Sequence, residues 1–472
     1  MSDKRMFRFA GTSTRMLAGS IVSILAVVAV ATAVTLPWPA ITHEPVSVSA
    51  RPAPAPTLVA CTGGLLALGS DAEDAAGLAL AARQNVTVGV GEGDPEPEEV
   101  RLESSAAVGN NGPSAWTAPP QDRVRTDVAA SGSSTVSGSD LRGYAASACR
   151  PPLLESWLVG GSASTGAADL VLVSNPGEVA ATVDIAVFGA EGMVSPPGGT
   201  QQVIPAGSQR VFPLAGLLLG EESPVIRVTA TGAPVLASLQ ASITRTLVAG
   251  GVDQVDAIAQ PSREQVIVGV PVAARGGDVD ATESTSILRV LSPSADTTAS
   301  ITVSRTGSTE PATVIAEVPL PAGVPAAIDL GALPAAVYSV SVVAEDPVVA
   351  ALWQSTGSTV SDDFAWFTSA PEVSTPTLFA SPAGPAPVLT LVNDSENAAD
   401  VILTSTDETY RLEVRVGAGQ STSVRLTSRT VYQLDPGTGA VRASLSMSGD
   451  GALAGFPVWG ADAAARPITV YP

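Results

Sequence analysis

From residue 153 onward, apolar runs and turn residues recur in one order. An apolar strand ends in an Asn, Pro or Ser turn, an alternating strand follows, and an Ala-Gly turn leads into further strands and a closing one. The copies are Leu170–Gln240, Ile287–Gln354 and Val388–Gly455, with the Ala-Gly turn at Ala206-Gly207, Ala322-Gly323 and Ala418-Gly419. Leu170–Ser174 is an apolar run closed by a serine, the pattern of a strand buried on both faces, and Asn175-Pro176-Gly177 supplies its turn. Thr182–Phe188 places Val183, Ile185 and Val187 on one face. Gln202–Ile204, Gln209–Pro213, Val225–Thr229 and Val235–Gln240 complete that copy. Ile301–Ser304, Ala326–Leu330, Val337–Val343 and Val348–Trp353 repeat the scheme. In Arg411–Val416, Leu412, Val414 and Val416 face one way and the charged residues the other, as in an antiparallel strand buried on one side.

Many short strands in repeats of roughly a hundred residues predict an all-β fold of tandem immunoglobulin-like β-sandwich modules. The alternative is a β-propeller. Its blades run to about 40–50 residues, shorter than the spacing of the Ala-Gly turns, and no Trp-Asp signature recurs.

Thr57–Arg150 is less regular. It offers short alternating runs at Asn85–Val90, Val100–Glu103 and Arg123–Val128, and an acidic, Pro-rich loop at Gly91–Glu99. Asp71–Arg83, acidic at its start and basic at its end, predicts a short helix.

Met16–Leu36 carries no charge and is long enough for a transmembrane helix. Lys4, Arg5, Arg8 and Arg15 before it predict a cytoplasmic N-terminus and an extracytoplasmic body. The rival is a signal peptide cleaved near Ala29–Ala33, giving a secreted product. Pro37–Pro56 predicts an extended linker. The expected organisation is a cytoplasmic basic tail (1–15), a transmembrane helix (16–36), a Pro-rich linker (37–56), an N-terminal β module (57–150) and three β-sandwiches (151–260, 261–358 and 359–472), standing as a rod.

Composition narrows the chemistry. The net charge of the 472 residues is −21, so nucleic acid is not an expected partner. His43, the only histidine, sits in the linker, which removes Ser-His-Asp and Cys-His catalysis and His-containing zinc sites. Lys4 is the only lysine, which removes Schiff-base chemistry from the exported part. No phosphate or dinucleotide fingerprint occurs. Cys61 and Cys149 are even in number outside the membrane, which favours a disulfide closing the N-terminal module; two buried thiols are the alternative.

Carboxylates remain. Asp278, Asp280 and Glu283, or Asp362-Asp363, or Asp394 with Glu396, are spaced so that they could meet a hard cation, but none matches a Ca²⁺ loop and solvated loop acids are the simpler reading. No spacing singles out a glycosidase pair. Trp157, Trp353, Trp366 and Trp459 fall in predicted strands, where packing is expected. Trp116 lies in a loop-like stretch and is the tryptophan expected to be exposed for stacking on a sugar. Asn85-Val86-Thr87 and Asn393-Asp394-Ser395 match the glycosylation sequon by coincidence.

The stretch Cys149–Val183 carries Cys149, Pro151, Trp157–Gly161 and Leu170–Pro176, followed by Ala206-Gly207-Ser208. It resembles an uncharacterised actinobacterial family of exported, membrane-anchored β-rich proteins, with one extra residue (Val173 or Ser174) before Asn175. The resemblance covers about residues 57–472. It implies a cell-envelope protein linked to surface-glycan assembly and transfers no catalytic residue. The expected function is non-catalytic and structural or interactive, without cofactor or metal, with envelope proteins or cell-wall glycan as partners and the membrane engaged through residues 16–36. The alternatives are a carbohydrate-binding protein and, third, a glycoside-processing enzyme.

Overall fold

Short strands separated by turns give one repeated pairing plan. The computed structural model describes residues 3–35, 48–50, 54–68, 77–104, 112–122, 124–245, 247–273, 285–310, 312–357, 359, 362–461 and 468–470. Its strands and single long helix make an all-β protein with one N-terminal helix. Two compact units result, one comprising 1–52 with 466–472 and the other 53–465.

In the first unit, a helix spans Asp3–Thr35, and its stretch Met16–Ala33 is long and apolar enough to cross a membrane. Val48–Ala50 pairs antiparallel with Ile468–Val470, so this part of the expected free linker is half of a two-stranded ribbon.

In the second unit, the pairing plan is clearest over residues 155–256. Leu170–Asn175 lies between Ser208–Pro213 and Leu236–Arg245, and Val248–Asp256 extends that sheet. Ala181–Gly189 lies beside Val225–Thr231, which also pairs with Glu155–Val159. Both sheets feed one core, with Val171 and Val173 from the first meeting Ile185, Val187 and Val228 from the second. Burying each such side chain contributes about 1.5–3 kcal/mol. Residues 262–368 repeat the plan around Ser286–Leu291, and residues 377–457 around Pro387–Asn393.

Residues 57–149 hold a fourth version. Asn85–Val90, Val128–Ser137 and Arg142–Cys149 form one sheet; Glu98–Arg101, Ser114–Ala118 and Thr57–Ala60 form the other. In chain order these four units are called the first to fourth copies. The last strand of each is labelled β1 (Arg142–Cys149), β2 (Val248–Asp256), β3 (Phe364–Thr368) and β4 (Ala452–Pro457). β1 packs on β2, β2 on β3, β3 on β4, and β4 back on β1. The copies therefore close into a circle, where a rod was expected.

The turns follow from residue chemistry. Gly207, Gly323 and Gly419, the glycines of the three Ala-Gly turns, have φ of +66°, +75° and +64°, the left-handed region that glycine enters without penalty. Asn175 donates from Nδ2 to the carbonyls of Val179 (2.8 Å) and Ile204 (3.0 Å). Asn393 repeats this with Asn397 (2.7 Å) and Val416 (3.0 Å). The second sequon is thus a buried turn clasp.

Several expectations are corrected. The C-terminal part of the expected helix is a strand, Leu78–Ala82, paired with Leu65–Leu68 in a hairpin; its alternating Leu and Ala residues suit a sheet as well as a helix. Val100–Glu103 is split between Glu98–Arg101 and Glu103–Ser104, and the latter joins the second copy's sheet. Of the run expected at Arg123–Val128, Arg123 lies outside the described residues, Val124 bridges to Gln121, and a strand opens at Val128. Phe364–Thr368, expected in the last module, pairs with the third copy.

Candidate functional site

The four last strands meet at a carboxylate. At equivalent positions the chain has Gly143-Tyr144, Gly251-Val252, Asp363-Phe364 and Ala452-Leu453. Three of these pairs begin with a small residue; in the third copy the place is taken by Asp363, only 4 % exposed. Its carboxylate accepts the backbone N–H of Tyr144 (3.0 Å), Val252 (3.2 Å) and Leu453 (3.3 Å), one from each of the other three copies. The close approach needs glycine, since a β-carbon at Gly251 would overlap Asp363 Oδ1 and Phe364 N. Burial pushes the Asp363 carboxyl up to about 7 against the pull of those N–H groups.

Other buried polar groups also bridge copies. Asp253 accepts the N–H of Trp366 (2.7 Å), and burial holds its carboxyl well above the usual range, reinforced by Asp363. Between the first and second copies, Gln209 and Gln254 donate to the carbonyls of Thr62 (2.9 Å) and Gly63 (2.8 Å). Gln240 donates to Leu66 O (2.7 Å) and accepts from Leu66 N (2.8 Å). Arg150 donates to Ala257 O (2.6 Å), lies 3.5 Å from Asp256, and covers the Trp459 ring at 4.6 Å. Burial lowers the Arg150 pKa and raises that of Asp256; their mutual attraction opposes both shifts. The Cys61–Cys149 disulfide ties the first strand of the first copy to β1, beside Val59, Trp116 and Ala130.

Between the second and third copies the packing leaves a cleft of about 260 Å³. Trp353, Trp366 and Ile287 give it apolar walls, with Asp169 and Arg289 among them. Asp169 accepts the N–H of Ser162 (2.6 Å) and Ser242 (2.8 Å), and burial pushes its carboxyl up to about 7. Arg289 donates to the carbonyls of Gly161 (2.8 Å), Pro224 (2.9 Å) and Glu222 (3.3 Å) and lies 4.6 Å over the Trp366 ring. Burial lowers its pKa to about 9.

The sequence candidates fare unevenly. Asp278, Asp280, Glu283 and His43 lie outside the described residues. Asp363 is buried at the junction, while Asp362 accepts the N–H of Thr359 (2.6 Å) in the adjoining turn. Asp394 pairs with Arg442 at 2.5 Å, and Glu396 is exposed. Among the described residues no three His, Cys, Asp or Glu side chains cluster to hold a metal. In the acidic loop, Glu98 and Glu99 belong to a strand, and Glu99 pairs with Arg101 at 2.9 Å. Trp157 and Trp366 are buried, Trp353 and Trp459 half-buried. Trp116, expected to be exposed, is 5 % exposed on Ser114–Ala118, where it packs on the disulfide. The loop-like reading missed a strand that its flanking Gly and Pro residues obscured. Arg289, Gln209, Gln240 and Gln254 carried no sequence signal, because they hold backbone groups distant in the chain, and Asp169 carried none because its partners are also backbone N–H groups.

These features define a strand-built protein whose copies are stitched across their junctions by single buried polar side chains. The chain belongs to a family of unknown function, DUF5719, which matches residues 104–427, from the first copy into the fourth. No curated protein matches the chain.

Proposed function

We propose that this is a non-catalytic protein of the cell envelope. In this reading the N-terminal helix is retained in the membrane, and the body, outside the cytoplasm, is a scaffold of immunoglobulin-like modules that holds other envelope components. The observation that carries it is the use made of the buried ionisable groups. Asp169, Asp253, Asp363, Arg150 and Arg289 each hold backbone groups of another copy or a flanking loop, so their chemistry supports rigidity. A general acid or nucleophile needs an approach for substrate, which Asp253 and Asp363, buried and bonded to backbone on neighbouring strands, do not offer. The apolar helix supports the anchor, and the basic residues before it support a cytoplasmic N-terminus.

The test is turnover. The purified full-length protein, incubated with cell-wall polysaccharide and aryl glycosides, is expected to release no product. Hydrolysis that disappears on changing one acidic residue overturns the proposal. A carbohydrate platform finds less support, since Trp116, Trp157 and Trp366 are all buried.

A further inference from the structure

We infer that the cleft between the second and third copies is an acceptor site for an extended apolar peptide segment of a partner protein, which inserts one leucine-sized or aromatic side chain.

The argument comes from the repeat itself. In the second copy, the outer face of the sheet presents Leu170, Leu172 and Val211, with Gln240 beside them. This face is covered by the first copy's hairpin, through Leu66, Leu78 and Leu80. Gln240 completes the contact by bonding both backbone groups of Leu66. The seat is therefore one that takes an extended apolar segment and recognises its main chain.

Strand register identifies the same seat in the third copy. Leu170 pairs with Gln240 as Ile287 pairs with Trp353, and Leu172 pairs with Val211 as Arg289 pairs with Ala327. Here the second copy supplies no hairpin, and the position is the cleft of about 260 Å³. That volume exceeds the roughly 150 Å³ of an apolar cavity able to hold benzene, so a large side chain and its adjoining backbone fit. One difference suits an occupant from another molecule. Trp353 replaces the glutamine with a half-buried aromatic wall, the kind of surface that anchors side chains at interfaces. Arg289 lines the cleft with its Nη groups already on backbone carbonyls of the second copy, which fixes that wall in place. In the fourth copy the equivalent residue is Thr390, which bonds Ser423 at 2.9 Å and is closely approached by Gly269, so the seat there is filled by the protein itself. A pyranose fits the seat poorly, because it presents several hydroxyls to mainly apolar walls.

This inference rests on the reading of the protein as a binding scaffold, and its test is independent of turnover. The full-length protein in lipid nanodiscs, labelled with fluorotryptophan, is titrated with a synthetic peptide Gly-Gly-Leu-Leu-Ala-Leu, the sequence of residues 63–68. The fluorine resonances of Trp353 and Trp366, assigned with Trp353→Phe and Trp366→Phe, are expected to shift by the time the peptide reaches about 1 mM. Ala327→Phe, at an exposed position on the rim, is expected to weaken the response at least tenfold while the resonances of Trp116 and Trp157 stay in place. Three outcomes each overturn the inference: unmoved resonances, an equal response in Ala327→Phe, or a response to indole or a methyl glycoside but not to the peptide.

Discussion

Replacing Asp363 with alanine removes one acceptor shared by three strands. The N–H groups of Tyr144, Val252 and Leu453 reach the carboxylate at 3.0, 3.2 and 3.3 Å. Each buried N–H left without a partner costs about 1–3 kcal/mol, so Asp363→Ala should cost at least about 3 kcal/mol. That is a large share of a typical stability of about 5–15 kcal/mol. Denaturant unfolding of the detergent-solubilised protein, followed by near-ultraviolet circular dichroism of its tryptophans, measures the loss. The pH dependence supplies a second reading. With the native carboxyl pushed up to about 7 and the unfolded one at its ordinary value near 3.8, the native state holds a proton that the unfolded state lacks across that window. Stability conferred by this proton is present below about pH 4 and lost as pH rises through 7. The difference is about 4 kcal/mol, at 1.36 kcal/mol per pKa unit. Asp363→Asn should flatten this slope. An Asp363→Ala protein within about 1 kcal/mol of the parent, or an Asp363→Asn protein with the parental slope, refutes the reasoning.

Other junctions give further tests. Gly251→Ala sets a β-carbon against Asp363 and Phe364 and should cost more than Gly207→Ala, where nothing lies within 4 Å and only the positive φ opposes a side chain, at about 1–2 kcal/mol; parallel denaturation curves rank the two. Arg150→Ala leaves Asp256 buried without its cation and should cost about 3–5 kcal/mol, whereas Arg150→Met with Asp256→Asn should recover most of that in the same assay. Replacing Cys61 and Cys149 by serine opens a loop with a sequence separation of 88 and should cost about 4–5 kcal/mol. The expected sign is earlier proteolysis within residues 57–149, read by mass spectrometry of limited digests.

Local patterns were legible in the sequence wherever one residue type has a strong backbone preference. The Ala-Gly turns are found as expected because a left-handed position selects glycine, and Arg411–Val416 alternates as its one-sided burial requires. Leu78–Ala82 was misread because alternating Leu and Ala residues satisfy two periodicities, and only pairing with Leu65–Leu68 decides between them. Closure of the circle was not legible. It depends on Asp363 reaching main-chain N–H groups of the other three copies, and a main-chain atom leaves no mark on the residue type that carries it. The cleft was hidden for the same reason. Trp353 was visible, but its neighbour Arg289 became significant only when strand register aligned it with Leu172.

Packing of the last copy against the first also constrains how such a chain can evolve. An open row of modules tolerates duplication, since each new unit adds at an end. Here β4 already occupies β1. A fifth unit would have to break that contact and spread the meeting point of the strands around Asp363. A closed circle of four copies therefore resists the duplication that an open row accepts.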